Sequence, residues 1–213
     1  MDVCMDTARI ADLLRPFITE TTLLPQMCEQ LQLYLDLLLR WNARINLTAV
    51  RDPEQIVTRH FGESLFAAGI LFAHPHSRGS LADVGSGAGF PGIPMKLFAP
   101  ELELTLIESH NKKASFLREV IRALELDRCE VFSGRAEQWR EAADMVTLRA
   151  VEQFECALAV AADLVTADGR LCLLIGAGQV PAGRHILGAD WIFQEPVAVP
   201  LSISRVVLIG SRR

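Results

Sequence analysis

The segment LADVGSGAGFPG at residues 81–92 places three alternating glycines, Gly85, Gly87 and Gly89, directly after a short apolar run. A glycine loop that follows a strand and opens a helix lies at the carboxyl end of that strand, where open α/β sheets bind their ligands. Glycine lets the backbone turn tightly and approach a ligand without a Cβ. The segment therefore predicts a site for a nucleotide-like cofactor, with a purely structural strand–helix turn as the alternative.

The residues around the loop indicate which cofactor it holds. The dinucleotide fingerprint is G-x-G-x-x-G and places a pyrophosphate on a helix N-terminus, whereas here the spacing is G-x-G-x-G with Asp83 before the first glycine. A carboxylate at Asp83 repels a pyrophosphate but suits the ammonium and sulfonium groups of S-adenosylmethionine (SAM). Glu108 ends the next apolar run and is placed to accept the two ribose hydroxyls. NAD enzymes use the same device, and a solvated strand end is the alternative for Glu108.

Apolar and amphipathic segments alternate from residue 80 onward. The apolar runs lie at 81–84, 102–107, 129–132, 145–148, 171–175, 191–199 and 205–209, and helical stretches fit near 91–98, 111–125, 136–142 and 152–166. Such alternation favours a mostly parallel sheet with helices on both faces. The five residues 200–204 are too few for a parallel crossover, so the last two runs should form an antiparallel hairpin. We therefore expect residues 79–213 to form a seven-stranded α/β domain like that of Rossmann-like methyltransferases.

The chain before this domain, residues 1–78, is predicted to be helical. Apolar residues recur at helical spacing over 24–45, with Thr22 as a plausible N-cap and Pro25 in the first turn. The sequence Asp52-Pro53-Glu54 repeats this start for a helix over roughly 53–72. We expect this region to pack on the cofactor domain and to contact RNA if the substrate is RNA.

Composition excludes several classes of protein. The 213 residues carry a formal net charge of −5, whereas a protein that binds nucleic acid over most of its surface is basic, so an RNA-binding role must rest on a local basic patch. Five cysteines without a CxxC pair argue against a disulfide framework or a zinc site and favour a reducing cytoplasm. The longest uncharged stretch, 64–77, is too short and too polar to cross a membrane.

Several motifs together resemble the RsmG (GidB) family of bacterial small-subunit ribosomal RNA methyltransferases. They are WNARINLTA at 41–49, RDPE at 51–54, HFGESL at 60–65, DVGSGAGFPGIP at 83–94, ES at 108–109, KK at 112–113, FLR at 116–118, GRAE at 134–137 and RA at 149–150. The resemblance covers nearly the whole chain. It implies methylation of guanosine N7 in 16S rRNA, within the 30S subunit or a late precursor. It further implies SAM as cofactor, S-adenosylhomocysteine as product, a monomer, and neither DNA nor a membrane as partner.

The resemblance also assigns residues. The family's cofactor contacts correspond here to Gly85, Phe90, Ala136, Glu137 and Arg149, and Glu108 fits the ribose role. Three positions depart from the family pattern: Ile175 stands where the family usually has lysine, Glu63 replaces an aspartate, and Leu148 replaces a serine. The change at Ile175 removes a cation that could touch an RNA phosphate.

The chemistry at N7 restricts what the side chains must do. Guanine N7 has a free lone pair and no proton, so no general base is expected and catalysis should come from positioning. Arginine is the common partner of the guanine edge, and Arg149 is the candidate positioning residue, with a structural salt bridge as its alternative. Asn46 and Thr48 could cover the site or merely end a helix, and His60 is predicted to be a packed or capping residue rather than a catalyst.

The candidate RNA surface consists of basic and polar residues of the helical region and of the helix predicted after the second strand, where Lys112 and Lys113 could reach phosphates beside the site. The residues of this surface are Arg44, Asn46, Thr48, Arg59, Lys112, Lys113 and Arg118. An ordinary solvated face is the alternative for these charges. Three other functions compete with an rRNA methyltransferase: a SAM enzyme for a small molecule, a nicotinamide oxidoreductase, and a non-catalytic RNA-binding scaffold. The helical region opposes the first, Asp83 and the glycine spacing oppose the second, and the intact cofactor motifs oppose the third.

Overall fold

The computed structural model describes residues 5–18, 23–72, 74–150 and 153–213. Its first part is helical, with α1 at Thr7–Leu14, α2 at Pro25–Asn42, α3 at Pro53–Ile56, a π-helical segment at Val57–Gly62 and α4 at Glu63–Leu71. Asp52 caps α3 by accepting a hydrogen bond from the Gln55 amide at 2.8 Å, as its position before a proline predicts. Helix α2 begins at Pro25 with Leu24 in the N-cap position, and the predicted cap Thr22 lies outside the described residues.

A single mixed sheet forms the second part. Its strands are β1 Ser80–Val84, β2 Glu103–Ile107, β3 Cys129–Phe132, β4 Ala143–Arg149, β5 Val165–Gly176, β6 Trp191–Phe193, β7 Val197–Ala198 and β8 Arg205–Arg212. The strand order is β3-β2-β1-β4-β5-β8-β6, with the first five strands parallel and β8 antiparallel to its neighbours. The helices between the strands are α5 Gly92–Phe98, α6 Asn111–Ala123, α7 Phe154–Asp163 and α8 Val180–Leu187. The α/β class, the parallel sheet and the antiparallel C-terminal hairpin are confirmed.

The predicted apolar run at 191–199 forms two strands rather than one. Both β6 and β7 pair with β8, so the described sheet has eight strands instead of the expected seven. The last ladder bond of β6 runs from the Gln194 amide to the Ile209 carbonyl at 2.9 Å. Pro196 lies between the two strands and has no N–H to donate, which explains why the pairing is interrupted there.

The helix predicted at 136–142 is wrong, because the structure forms only a 3-10 turn at Ala136–Gln138. A helix here would cover the sheet face formed by β2 and β3. That face carries Thr105 and Glu130, which hydrogen-bond each other at 3.1 Å near the surface, so it offers little apolar area to cover. Helix α8 was not predicted, because Pro181 and Gly183 hide its helical pattern.

Two buried clusters lie on opposite faces of the sheet. Because strand side chains alternate, Leu81 joins the first cluster and Ala82 the second. The first cluster also contains Leu31 of α2 and Leu65 of α4, so the helical region and the sheet share one core across the predicted boundary at 78/79. No described helix combines the length and apolar character that a membrane span requires.

The parallel register determines where a ligand site lies. Val84 at the end of β1 pairs with Ile107 at the end of β2 and with Leu148 near the end of β4. The residues that follow these three strands therefore meet at one edge of the sheet, which we call the carboxyl edge.

Candidate active site

The glycine loop leaves β1 at the carboxyl edge with three residues in the left-handed region of backbone space. Gly85, Gly87 and Gly89 have φ angles of 69°, 57° and 91°, a conformation that glycine adopts without a Cβ penalty. A Cβ at Gly89 would collide with the Tyr34 hydroxyl and with Ile93. A Cβ added at Gly87 would have only the Gly85 carbonyl oxygen within 4 Å, at 3.8 Å, so the space above this glycine is open to a ligand.

Asp83 lies beneath this loop rather than beside its open face. Its carboxylate is fully buried, accepts a hydrogen bond from the Thr147 hydroxyl at 2.8 Å and another from the Gly92 amide at 3.2 Å. Burial raises the pKa of Asp83 to about 6, opposed by the hydrogen bond from Thr147. The carboxylate therefore fastens the loop to β4 and to the start of α5, and its charge acts through the loop instead of by direct contact.

Glu108 follows β2 at the same edge and holds the loop from the other side. One carboxylate oxygen accepts from the Gly87 amide at 2.9 Å and the other from the His110 amide at 2.7 Å. The residue is 6% exposed. Each carboxylate oxygen accepts more than one hydrogen, so Glu108 keeps acceptor capacity for hydroxyl donors such as those of a ribose.

Ala136 and Glu137 lie beside Glu108 because β3 runs parallel to β2. The Glu108 amide donates to the Phe132 carbonyl at 3.1 Å, and the Gly134 amide donates back to the Glu108 carbonyl at 3.2 Å. The 3-10 turn that begins at Ala136 then passes along the edge, with Ala136 half-buried and Glu137 exposed. The loop, Glu108 and this turn thus form three sides of one cleft.

Arg149, the last residue of β4, faces the helical region. One guanidinium nitrogen, Nη2, lies 2.8 Å from the Arg59 carbonyl, 3.0 Å from His60 Nδ1 and 3.1 Å from a Glu63 carboxylate oxygen. The Nε of Arg149 is buried and has no acceptor among the described residues. The salt bridge anticipated as the alternative role therefore exists, and it leaves a buried donor that a ligand oxygen would satisfy.

His60 connects Arg149 with the motif around Thr48. Arginine can only donate, so His60 Nδ1 must accept, and Nε2 carries the hydrogen that it donates to Thr48 Oγ1 at 2.8 Å. Burial, followed by the charge of Arg149, lowers the pKa of His60 to about 3. His60 is thus a neutral histidine that positions Arg149, a role that the sequence did not distinguish from simple packing.

The two polar residues of the NLTA motif, Asn46 and Thr48, lie in different surroundings in the structure. Thr48 contacts His60, whereas Asn46 lies at the surface and accepts from Arg51 at 3.1 Å. Asn42, which the sequence did not single out, fixes this turn: its side-chain oxygen accepts from the Leu47 and Thr48 amides at 2.9 and 3.0 Å.

Phe90 is enclosed where the loop meets the helices. It is 5% exposed, its ring centroid lies 4.8 Å from that of His60 and 5.5 Å from that of Tyr34, and the Arg149 guanidinium lies 5.9 Å above it. The hydroxyl of Tyr34 donates to the Ala88 carbonyl within the loop. Helix α2 therefore holds the glycine loop directly, and Phe90 supports Arg149.

A second arginine, missed by the sequence reasoning, completes this polar cluster. Arg205 begins β8, donates to the Leu174 carbonyl at 3.2 Å and lies 3.4 Å from the same Glu63 carboxylate that binds Arg149. Its Nε is also buried without an acceptor among the described residues. No local motif marks Arg205, since it reaches Glu63 only through the antiparallel pairing of β8 with β5.

The basic residues predicted to meet RNA are not all near the cleft. Lys112 and Lys113 open α6 just after Glu108, and Arg59 lies against Arg149 through its backbone. Arg44 and Arg118 are exposed farther away, in the turn after α2 and two helical turns into α6. Ile175 is 3% exposed within the second core cluster, so the isoleucine that stands at this position packs in the core and does not contact RNA.

These residues fit SAM. Three features surround one cleft at the carboxyl edge. They are the open space over Gly87, the remaining acceptor capacity of Glu108, and the buried Nε of Arg149, which the described residues leave without an acceptor. The open space allows a ligand to approach the loop backbone closely, Glu108 can accept hydrogen bonds from a ribose, and the Nε of Arg149 can donate to an acceptor oxygen of the ligand.

Comparisons with known proteins agree with this geometry. Residues 27–181 match the GidB family model, described as rRNA small subunit methyltransferase G. The ribosomal RNA small subunit methyltransferase G of Xanthomonas axonopodis pv. citri is 44% identical over 145 residues, which are 67% of this chain and 66% of that protein. The chain thus matches about two thirds of that relative's length. The enzyme of the same name from Roseiflexus sp. is 39% identical over 212 residues, covering 94% of this chain and 86% of the relative.

Solved structures show the same fold at low sequence identity. The ribosomal protein L11 methylase of Lactobacillus delbrueckii subsp. bulgaricus superposes with a TM-score of 0.61 at 12% identity, covering 73% of this chain and 79% of that one. TYW2 of P. horikoshii in complex with MeSAdo gives a TM-score of 0.56 at 14% identity, covering 71% and 61%. With the family match and the glycine loop, these findings show that the chain belongs to the rRNA small subunit methyltransferase G family, whose reaction is SAM-dependent N7 methylation of guanosine in 16S rRNA.

Proposed function

We propose that this chain transfers the methyl group of SAM to N7 of one guanosine in 16S rRNA, with the RNA presented in the 30S subunit or a late precursor. The observation that carries the proposal is the buried Nε of Arg149, which has no acceptor among the described residues and lies at the same sheet edge as the glycine loop and Glu108. If guanine and SAM meet at this edge, each of them brings oxygen atoms that could accept a hydrogen bond from Arg149 Nε.

Different residues of the cleft would bind different parts of SAM. Gly85, Gly87 and Gly89 let the cofactor approach the backbone, and Glu108 accepts the ribose hydroxyls with the lone pairs that Gly87 and His110 leave free. The turn at Ala136 and Glu137 would flank the adenine. Asp83 contributes negative charge from beneath the loop and opposes the binding of a pyrophosphate there.

The side chains near the reacting atoms suit alkylation of a lone pair rather than proton abstraction. His60 is a poor base, because burial and Arg149 lower its pKa to about 3 and both ring nitrogens are already hydrogen-bonded. SAM supplies the electrophilic methyl group. Arg149, held by Glu63 and His60, orients the guanine through O6 or a neighbouring phosphate, so its contribution is one of positioning.

Charge balance around Arg149 supports the same reaction. A purine that receives a methyl cation at N7 becomes positively charged, and an excess of cations beside it would oppose the transfer. Here Arg149 and Arg205 share the Glu63 carboxylate, and Asp83 adds a second negative charge nearby. The two arginines can therefore hold RNA oxygens without a net positive charge at the purine.

The RNA would approach over the helical region and the start of α6. Lys112 and Lys113 follow Glu108 at the cleft, and Arg59 and Thr48 stand on its other side. Asn46 with Arg51, Arg44 and Arg118 form more distant contacts. We further propose that the enzyme acts as a monomer in the cytoplasm, where the ribosomal substrate is assembled.

A methyl-transfer assay on isolated subunits tests the proposal. Purified protein and labelled SAM are incubated with 30S subunits from cells that lack this protein, with 50S subunits as the matched control. We expect label in 16S rRNA at one guanosine, and cleavage chemistry specific for 7-methylguanosine should locate it. Label at an exocyclic amine, or equal labelling of both subunits, would refute the assignment.

A further inference from the structure

The turn between β7 and β8 exposes two large aliphatic side chains. Ile203 is fully exposed and Leu201 is 76% exposed, which makes them the most exposed large apolar residues among those described. Single exposed aliphatic residues are common on protein surfaces. Two in one six-residue turn, 199–204, form a local apolar tip that the core does not explain.

This tip is held rigidly. The Ser202 amide donates to the Val199 carbonyl at 3.2 Å, the Ser202 hydroxyl accepts from the Arg205 amide at 3.1 Å, and the Ala177 amide donates to the Ser204 carbonyl at 2.7 Å. Leu201 has a φ of 58°, which is uncommon for a residue other than glycine. The backbone of the turn is therefore fixed, so that little backbone entropy remains to be lost when the two side chains bind a partner.

The tip stands beside the reaction centre. Arg205, two residues after Ile203, lies 3.4 Å from the Glu63 carboxylate that also holds Arg149. In the sheet, Arg205 pairs with Gly176 at the end of β5, and β5 lies next to β4, which ends at Arg149. Neighbouring strands are about 4.8 Å apart, so the turn begins roughly 10 Å along the carboxyl edge from Arg149.

The substrate chemistry requires an unstacked base. Guanine N7 lies on the major-groove edge, and the major groove of an A-form RNA helix is too deep and narrow for side chains to enter. An enzyme that holds its cofactor in a cleft must therefore take a guanosine that is unpaired or turned out of its stack. Removing that base exposes the apolar face of the neighbouring nucleotide, and proteins that kink DNA insert Leu or Ile against bases that are unstacked in the same way.

We infer that Leu201 and Ile203 pack against the nucleobase next to the target guanosine and hold the target out of its stack. The occupant of this surface is thus an RNA base of the substrate, and both side chains are positioning residues. The inference rests on the proposed function, because it takes 16S rRNA as the substrate.

Photocrosslinking identifies the occupant directly. The full-length protein carrying p-azidophenylalanine in place of Ile203 is bound to 30S subunits and irradiated. The matched control carries the same group in place of Ile192, an aliphatic residue on β6 that is 53% exposed. We expect position 203 to crosslink to 16S rRNA within a few nucleotides of the methylated guanosine, and position 192 not to do so. A crosslink to a ribosomal protein, or equal yields at both positions, overturns the inference.

Kinetics separate this inference from the proposed function. A stacked aromatic side chain contributes on the order of tenfold or more in affinity per unstacked base. Because an aliphatic side chain offers a smaller contact face, Ile203→Ser should lower kcat/KM for 30S subunits by roughly threefold to tenfold. SAM affinity and Tm should stay unchanged, Ile203→Phe should retain activity, and Ile192→Ser should match the wild type. If the wild type fails to methylate 30S subunits, the proposed function fails. If it succeeds and Ile203→Ser equals Ile192→Ser, only the role of the turn is refuted.

Discussion

Replacing Glu108 with alanine should separate cofactor binding from methyl transfer. The carboxylate accepts hydrogen bonds from the Gly87 and His110 amides at 2.9 and 2.7 Å, and in the proposed complex it also accepts from the ribose. Hydrogen bonds to a charged group are worth about 1.5–3 kcal/mol each. Loss of the ribose contact alone should therefore weaken SAM binding roughly tenfold to hundredfold.

The same substitution also loosens the free protein. Both amides border a cleft that water can enter, so water replaces part of the lost bonding and the net loss should be about 2 kcal/mol or less. For a chain of this size, a loss of about 2 kcal/mol lowers Tm by roughly 4–8 °C. Turnover at saturating SAM should change little, because the ribose contact is equal in the ground and transition states.

Three measurements decide the matter: calorimetric titration of SAM, a thermal melt without ligand, and single-turnover methylation of 30S subunits. Glu130→Ala is the matched control, since this carboxylate lies on the neighbouring strand β3 and bonds only Thr105 among the described residues at the surface. Unchanged SAM affinity with a lowered Tm would reduce Glu108 to a tether of the loop. Lower turnover with unchanged affinity would refute its assignment to the ribose.

Four other perturbations follow from the contacts around the cleft. Arg149→Lys keeps the charge but loses the planar fork, so single-turnover rates at saturating SAM and 30S should fall at least about tenfold while the native circular dichroism spectrum is retained. Tyr34→Phe leaves the Ala88 carbonyl without its donor, and denaturant unfolding should show a loss of about 1–3 kcal/mol together with weaker SAM binding. The pKa of His60 in the folded protein is about 3, below its ordinary value of 6.5. The neutral histidine therefore contributes its full stabilisation above pH 6.5, and this contribution is lost as the pH falls toward 3. His60→Asn should reduce the difference in the free energy of unfolding between pH 7 and pH 5, as measured by denaturant unfolding. If three or four single-strand phosphates are neutralised near Lys112, RNA affinity should fall with salt with a log–log slope of about −2 to −3, and a salt-independent affinity would exclude the basic residues as the RNA surface.

The fold was predictable where one property of the local sequence decided the structure. Short apolar runs between amphipathic segments gave the parallel strands, and the five residues 200–204 gave the terminal hairpin. The helix predicted at 136–142 was wrong because the polar pair Thr105 and Glu130 leaves the facing part of the sheet with little to bury, and these two residues lie on other strands. The interruption at 194–196 depends on a single proline within an otherwise continuous apolar run.

The candidate site was predictable only in its contiguous motifs. The positions of the glycine loop and of Glu108 could be predicted, because each directly follows a strand and the strand end determines where it lies. Tyr34 and Arg205 carry no local signature, because each one acts on a segment brought near by tertiary packing or by strand pairing. Asn42 binds amides only five and six residues later, but its residue type alone does not distinguish it from the other polar residues of the motif at 41–49. The carboxylate of Asp83 belongs to the predicted motif, yet its position beneath the loop depends on Thr147 of a strand that comes 64 residues later.

The helical region is part of the site and not an attachment to it. Thr48 contacts His60, His60 contacts Arg149, and Glu63 binds Arg149 and Arg205, so three residues before position 78 hold two arginines that belong to the sheet. A sheet domain that began at residue 79 would keep the glycine loop and Glu108. It would also leave the buried guanidinium of Arg149 and the half-buried guanidinium of Arg205 without their carboxylate, and the unpaired buried charge of Arg149 makes that cost large. The boundary predicted at 78/79 therefore separates two patterns of secondary structure, while the chemistry that we propose for the cleft requires residues from both.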